Sequence, residues 1–330
     1  MEKLKEKIRG SFFVINKLYL LFIFLLLSIV DITIGIYYFF LSAVIYIWKI
    51  LKSKVPIEIN KDFTCKTFVY KKLKKRKLKL DLWLPGNEKR YPVVFFCHGG
   101  GWISGFRNQP NNVSWCKYLA SKNFAVVSID YRYGYKNSME NILSDYSDAL
   151  EYVRKNHDKL SIDINNIILM GLSAGGHLSL LYSTYYTKTE NKEKMEGIKG
   201  VVAYYAPTDL RDIFKTDNKS IFSRFATRQT MKANPKSKEE IYNYYSPINW
   251  VSNNMIPCLL VHGKLDNVVP FNSTVKFSQK LKENNIKHTL LVHKNGKHSF
   301  DTRLKDITTI NILERTVSFI REAFNEAYKY

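Results

Sequence analysis

Ser173, Asp266 and His298 occur in an order, and in glycine-rich surroundings, that would suit acyl transfer through a nucleophilic serine. A serine hydroxyl is a weak nucleophile at neutral pH and needs a base within hydrogen-bond reach. The base in turn needs a carboxylate that holds its tautomer and stabilises its charged form. Ser173 lies in Gly171-Leu172-Ser173-Ala174-Gly175-Gly176, after the apolar run Ile167-Ile168-Leu169-Met170 and before a helical run with Leu178, Leu181, Tyr182 and Tyr185. Strand, glycine-bracketed serine and helix describe a turn too sharp for bulky neighbours, with a helix N-terminus behind the lifted hydroxyl. The plain alternative is an ordinary Gly/Ser turn. Upstream, the strand-like Pro92-Val93-Val94-Phe95-Phe96-Cys97 runs into His98-Gly99-Gly100-Gly101-Trp102. The backbone N–H groups of Gly100, Gly101 and Ala174 are expected to form an oxyanion hole, because a carbonyl oxygen there must reach the backbone itself. His98 and Gly99 are expected to shape that loop.

Three histidines are available as the base. Alternation through Thr289, Leu290, Leu291 and Val292 puts His288 and His293 within or at the end of a strand, a structural setting. His298, in Gly296-Lys297-His298-Ser299-Phe300, follows that strand in a loop. Asp266 lies in the turn His262-Gly263-Lys264-Leu265-Asp266-Asn267-Val268-Val269-Pro270, where Pro270 separates it from the next helix and weakens a capping role. Asp301, three residues from His298, is the weaker candidate acid.

The elements that must hold these residues alternate strand and helix. The spacing predicts strands over 63–70, 78–84, 91–97, 124–130, 167–170, 200–205, 258–262 and 288–292. Helices are predicted over 112–121, 137–157, after Ser173, over 271–284 and over 310–328. Residues 78–84 alternate Leu with Lys79, Asp81 and Trp83, the period of a half-buried strand, and 137–157 carries Met139, Ile142, Leu143, Tyr146, Leu150 and Val153 on one helical face. Such alternation implies a mostly parallel sheet flanked by helices. Residues 208–250 break the rhythm, with Phe214, Phe222, Phe225, Tyr242, Tyr244 and Tyr245 among many charges, and read as an inserted lid. The domain reading is therefore residues 1–50 as a basic segment and membrane anchor, 51–62 as a linker, and 63–330 as the catalytic domain.

A glycine loop, a serine, an acid and a histidine, in that order and each after a strand, resemble the α/β-hydrolase esterases with an HGGG loop. These are the hormone-sensitive-lipase-like and feruloyl-esterase-like carboxylesterases. The resemblance covers roughly residues 63 to 330 and includes Asp81-Leu82-Trp83-Leu84-Pro85 and Asp130-Tyr131-Arg132. It implies the α/β-hydrolase fold, His298 as base, Asp266 as acid, and cleavage of carboxylic esters with short acyl groups through an acyl-enzyme. Trp102, Tyr131, Phe214 and Phe222 are the expected substrate-pocket residues. No metal or organic cofactor is implied. Tyr133-Gly134-Tyr135 departs from the usual Leu-Ala-Pro continuation, and Leu172 stands where many lipase-like relatives carry Asp. An amidase, peptidase or formamidase on the same scaffold, or a non-catalytic ligand-binding protein, remains the alternative.

Net charge is +22, and residues 1–80 hold 17 basic against 5 acidic side chains, so the excess gathers around the hydrophobic N-terminus. Anionic lipid headgroups fit that placement better than nucleic acid does. No RNA- or DNA-binding motif accompanies the run Lys71–Lys77, so no nucleic-acid partner is expected. The four cysteines show neither metal-ligand spacing nor a disulfide framework. Residues 18–48 are nearly all apolar and, as one helix, would span about 46 Å against a hydrocarbon core of about 30 Å. They read as a retained anchor in a lipid membrane, either one span or a hairpin turning near Asp31. Basic residues on both flanks favour the hairpin, with the catalytic domain on the cytosolic side. The oligomeric state has no signature in the sequence.

Overall fold

The computed structural model describes residues 23–29, 31–51, 53–59, 61, 63–74, 76–86 and 90–326. It divides into two compact units, Met1–Ser53 and Lys54–Tyr330. The expected basic segment over residues 1–10 and the start of the apolar run lie outside the described residues.

In the first unit the apolar run is not one rod. A helix over residues 23–29 gives way to α1 (Ile32–Leu51). The break falls at Asp31, whose carboxylate accepts the Thr33 N–H at 2.7 Å and the Thr33 hydroxyl at 2.5 Å, capping the new helix. A Cβ on Gly35 would come 2.1 Å from Ser28 Oγ, whereas in a continuous helix seven residues separate side chains by about 10 Å. The chain therefore turns back on itself here. The membrane anchor expected over residues 18–48 is not supported: among the described residues no helix is long and apolar enough to cross a membrane.

The second unit is built on an eight-stranded sheet in the order β1-β2-β4-β3-β5-β6-β7-β8. The strands are β1 (Thr64–Leu73), β2 (Arg76–Leu84), β3 (Tyr91–Cys97), β4 (Ala125–Ile129), β5 (Ile162–Leu172), β6 (Ile198–Tyr204), β7 (Cys258–Gly263) and β8 (His288–His293). β1–β2 and β2–β4 pair antiparallel; every pairing from β4 onward through β3 to β8 is parallel. The hairpin's turn is shorter than expected, because Lys72 pairs with Lys77 and Leu73 with Arg76, extending both strands into the basic run. β2 was expected to be half-buried; instead Asp81 and Trp83 are buried along with Leu80 and Leu82. Asp81 tolerates this because it accepts the Thr67 hydroxyl at 2.6 Å and lies 2.9 Å from the Arg107 guanidinium.

Apolar residues fill both faces of the sheet. Val93, Phe95, Val127, Leu169 and Val201 pack with α3 (Met139–Lys155) and α4 (Ala174–Lys188) on one side, after α2 (Pro110–Ser121) has been laid against the other. There Val94, Phe96, Val126, Met170 and Val202 meet Trp115 and Leu119 of α2. Successive residues point to opposite faces, so a sheet covered on both sides needs uninterrupted apolar runs such as Ile167–Met170. Residues 208–250 contain the turns Leu210–Phe214 and Pro247–Trp250, α5 (Ile221–Met231) and α6 (Glu239–Tyr244). The unit closes with α7 (Phe271–Glu283) and α8 (Ile307–Glu326).

Candidate active site

Ser173 joins β5 to α4 with φ 52° and ψ −116°, a left-handed conformation that costs a non-glycine residue on the order of 1–3 kcal/mol. The surrounding structure over-determines it. Its N–H donates to the Tyr204 carbonyl at 2.8 Å, and its own carbonyl accepts the His177 N–H at 2.9 Å. Helix and sheet meet so closely that a Cβ at Gly175 would stand 2.0 Å from the Cys97 carbonyl oxygen. A serine in this turn presents its hydroxyl above the sheet, at the N-terminus of α4.

Three side chains that are far apart in the chain meet there. His298 Nε2 lies 3.0 Å from Ser173 Oγ, and His298 Nδ1 lies 2.7 Å from Asp266 Oδ2. Asp266 follows β7 in a tight turn, and its Oδ1 accepts the N–H groups of Val268 at 2.8 Å and Val269 at 3.0 Å. Its carboxyl is fully buried. Burial alone would raise its pKa, but the charge of His298 and hydrogen bonds from His262 and His298 outweigh that and hold it well below the usual carboxylate range. The donor pattern also sets the tautomer. Asp266 can only accept, so His298 Nδ1 carries the proton and Nε2 is free to accept from Ser173.

The rival residues stand elsewhere. His293 Nε2 pairs with Asp306 at 3.1 Å and His288 Nε2 with Ser278 Oγ at 2.9 Å. Asp301 is buried and accepts from the Trp115 indole at 2.7 Å and the Tyr205 hydroxyl at 2.8 Å. The Tyr205 ring in turn lies 4.6 Å from the His298 ring, centre to centre.

The glycine loop after β3 faces the same point. Gly100 has φ 113° and Gly101 φ 61°, values that L side chains rarely adopt. The Gly100 carbonyl is turned inward, accepting the N–H groups of Ile103 at 3.2 Å and Ser104 at 3.1 Å and the Ser104 hydroxyl at 2.9 Å. Among the described residues, neither Gly100 N–H nor Gly101 N–H donates to a backbone carbonyl. Ala174 is the first residue of α4, where a helix leaves its N–H groups unpaired.

His98 donates from Nδ1 to the Gly99 carbonyl at 2.6 Å and stacks on Tyr131 at 4.3 Å. Burial lowers its pKa to about 4, so the ring stays neutral under the loop. Tyr131, grouped with the substrate pocket on sequence grounds, is fully buried and donates to the His98 carbonyl at 3.0 Å. It lies two residues past the end of β4 and braces the loop through that hydrogen bond and its stack on His98. Trp102 is also buried, edge-on to His177 at 5.0 Å. Phe214 packs against Tyr242 at 5.5 Å. Phe222 is half-exposed, and its ring edge lies 3.0 Å from where a Cβ on Gly101 would stand. Of the four expected pocket residues, Phe222 is the one held against the glycine loop while exposed to solvent. A cavity of about 320 Å³ lined by Tyr182, Tyr185, Tyr186, Tyr244 and Glu140 lies between α3, α4 and α6 and includes none of Ser173, Asp266 or His298.

Two residues escaped sequence reasoning. Arg107 lies beyond the glycine loop; its backbone N–H and guanidinium both donate to Asp130, at 3.0 and 2.8 Å, and its guanidinium reaches Asp81. His262 is buried beside Asp266, with Nε2 3.1 Å from Oδ2. A signal for His262 existed: it is the one polar side chain in the strand run Cys258–Gly263, four residues before the acid. Arg107 had none. Among the described residues, no group of three or more His, Cys, Asp or Glu side chains is arranged to hold a metal ion.

A family model described as BD-FAE matches residues 80–281. The chain is similar to the esterase LipC of Mycobacterium tuberculosis, 30% identical over 210 residues that cover 62% of this chain and 52% of that protein. It is also similar to the isoprenylcysteine alpha-carbonyl methylesterase ICME of Arabidopsis thaliana, 25% identical over 239 residues, covering 69% of this chain and 55% of that one. The chain thus spans about half the length of these curated relatives. Among solved structures, esterase LipW from Mycobacterium marinum superposes with a TM-score of 0.67 at 18% identity, over 79% of this chain and 82% of that chain. A truncated carbohydrate esterase from gut microbiota gives 0.66 at 22% identity, over 82% and 100%.

Proposed function

The chain belongs to the BD-FAE family and has the α/β-hydrolase fold, and from that premise we propose that it is a serine hydrolase of carboxylic esters. Ser173 acts as nucleophile, His298 as general base and acid, and Asp266 as the carboxylate that orients the imidazole. The observation that carries this reading is the unbroken row from Ser173 Oγ through His298 to Asp266 Oδ2, at 3.0 and 2.7 Å. The names of the relatives, an esterase and a methylesterase, support the same bond type.

In this mechanism His298 Nε2 takes the hydroxyl proton as Ser173 Oγ attacks the ester carbonyl carbon. The resulting oxyanion is held by the N–H groups of Gly100, Gly101 and Ala174, three backbone donors at the glycine loop and the start of α4. Asp266 stabilises the imidazolium, which then passes its proton to the departing alkoxide and leaves an acyl-Ser173 ester. A water molecule, deprotonated by the same nitrogen, attacks the acyl carbonyl carbon; the bond to Ser173 Oγ then breaks, the imidazolium returns its proton to that oxygen, and the acid is released. Residues 63–330 form the catalytic domain, with 208–250 as a lid; of the expected linker over 51–62, residues from Lys54 onward belong to the same compact unit, with Val55 buried and its N–H donating to Ser114 Oγ at 3.1 Å. Phe222 and Ala226 of α5 crowd Gly101, since a Cβ there would stand 3.0 Å and 2.9 Å from them. That confinement supports a short acyl group.

Ser173→Ala should lower turnover of p-nitrophenyl butyrate by roughly 10⁴-fold or more with the fold intact. A fluorophosphonate probe should label the native chain and not the variant. Full activity in Ser173→Ala would remove the mechanism.

A further inference from the structure

We infer that His262 is a positioning residue for ester cleavage, a second imidazole that locks Asp266 against the His298 ring from the side away from Ser173. The inference rests on the proposed roles of Ser173, His298 and Asp266.

Hydrogen-bond chemistry fixes what His262 does. Its Nε2 lies 3.1 Å from Asp266 Oδ2 and 3.2 Å from the Val269 carbonyl oxygen. Both are acceptors only, so Nε2 carries a proton and donates. Its Nδ1 lies 2.7 Å from Thr274 Oγ1 on α7, and a neutral ring accepts the threonine hydroxyl proton there. Phe271 of the same helix stands edge-on to the ring at 5.6 Å. His262 and Thr274 are both buried, so water does not substitute for either partner. Thr274 is hydrogen-bonded to His262, and Asp266, His298 and Ser173 to one another, with His262 Nε2 closing the gap to Asp266 at 3.1 Å.

The arrangement engages both oxygens of the acid. A carboxylate offers about four acceptor sites. Here Oδ1 takes two backbone N–H groups, while Oδ2 takes the His298 N–H and lies 3.1 Å from His262 Nε2, whose proton the Val269 carbonyl also accepts. The neighbouring loop is tied in as well: Lys264 N–H donates to the His293 carbonyl and Leu265 N–H to the Gly296 carbonyl, each at 2.9 Å. His262 thus holds Oδ2 at the angle His298 needs and shares its negative charge. Without that donor the carboxylate rotates more freely and bears more of its charge towards His298, which binds its second proton more tightly. Among the described residues, the titratable groups facing His262, Asp266 and His298 are these three, Tyr205, whose ring lies 4.6 Å from that of His298, and the buried Asp301 that accepts the Tyr205 hydroxyl.

The test compares kcat, KM and the pH profile of kcat/KM on p-nitrophenyl butyrate for His262→Leu, His262→Gln, Thr274→Val and Ser173→Ala. His262→Leu should lower kcat about 30- to 100-fold, as loss of a partner behind a catalytic group commonly does, with KM within about twofold. Its acid limb should move to higher pH by about one unit. His262→Gln, whose side-chain amide N–H reaches about as far as Nε2, should keep the limb in place and recover kcat to within about fivefold. Thr274→Val should move the limb in the same direction by less. A wild-type kcat and limb in His262→Leu overturns the inference. So does a loss of kcat with an unmoved limb that glutamine leaves unrepaired, since that pattern belongs to packing alone. If His262→Leu does not fold, an unmoved limb in Thr274→Val overturns it. Activity surviving in Ser173→Ala is a different failure, that of the nucleophile assignment.

Discussion

Asp266 is gripped on both oxygens, and this makes its replacement by asparagine informative. The His298 N–H points at Oδ2, with His262 Nε2 3.1 Å from the same oxygen, and two backbone N–H groups point at Oδ1. An asparagine must turn its own NH₂ towards one of these pairs. Facing the histidines, it forces His298 to carry its proton on Nε2, the atom that should accept from Ser173. Facing the backbone, it leaves a buried donor against donors. Asp266→Asn should therefore lower kcat by roughly 10³- to 10⁴-fold while KM changes little, as measured in steady-state ester hydrolysis. A variant with unchanged kcat would show that the carboxylate charge is not used.

At the scale of elements, the glycine loop depends on a tether outside it. Arg107 binds the segment beyond the loop to the end of β4 through Asp130 and to β2 through Asp81. The Ser128 hydroxyl adds a bond to the Arg107 carbonyl at 2.9 Å. Arg107→Leu leaves two largely buried carboxylates without their cation, a change that costs about 3 kcal/mol or more. The variant should show a lower urea midpoint and, with the loop less firmly held, a kcat reduced about tenfold. An unchanged midpoint would mean that the ion pairs are replaced by solvent without loss. Conversely, Gly101→Ala acts inside the loop: φ of 61° and the proximity of Phe222 and Ala226 both oppose a side chain. Its effect should fall on kcat, by about 100-fold.

Across the whole molecule, two buried histidines link folding to pH. Burial lowers the pKa of His98 and of His177 to about 4, from 6.5 for an ordinary imidazole. Between those values the unfolded chain binds protons that the folded chain refuses, so stability falls as pH decreases. Each should remove about 2 kcal/mol between pH 7 and pH 5, visible as a lower urea midpoint at pH 5. The depressed Asp266 carboxyl acts in the same sense only further down, as pH falls below its ordinary value of 3.8. Asp301, raised by burial, acts with opposite sign above 3.8. A midpoint independent of pH over this interval would show that the two rings are protonated in the folded state.

Much was legible in the chain alone, because its signals are local. Unbroken apolar runs announce doubly covered strands, and β3 was predicted over its observed range, Tyr91–Cys97. Ser173 between glycines announces a strained turn, since few other sequences tolerate so close an approach of helix to sheet. Tertiary structure decided what local patterns do not encode. Proximity between residues 173, 266 and 298 depends on the order of strands in the sheet. The burial of β2 on both faces depends on its neighbours, and the place of Tyr131 under the loop depends on where the chain past β4 meets His98. Most of all, His262 reads in sequence as a strand residue. Folding packs it against a carboxylate and a threonine, at the Asp266 end of the row that starts at Ser173.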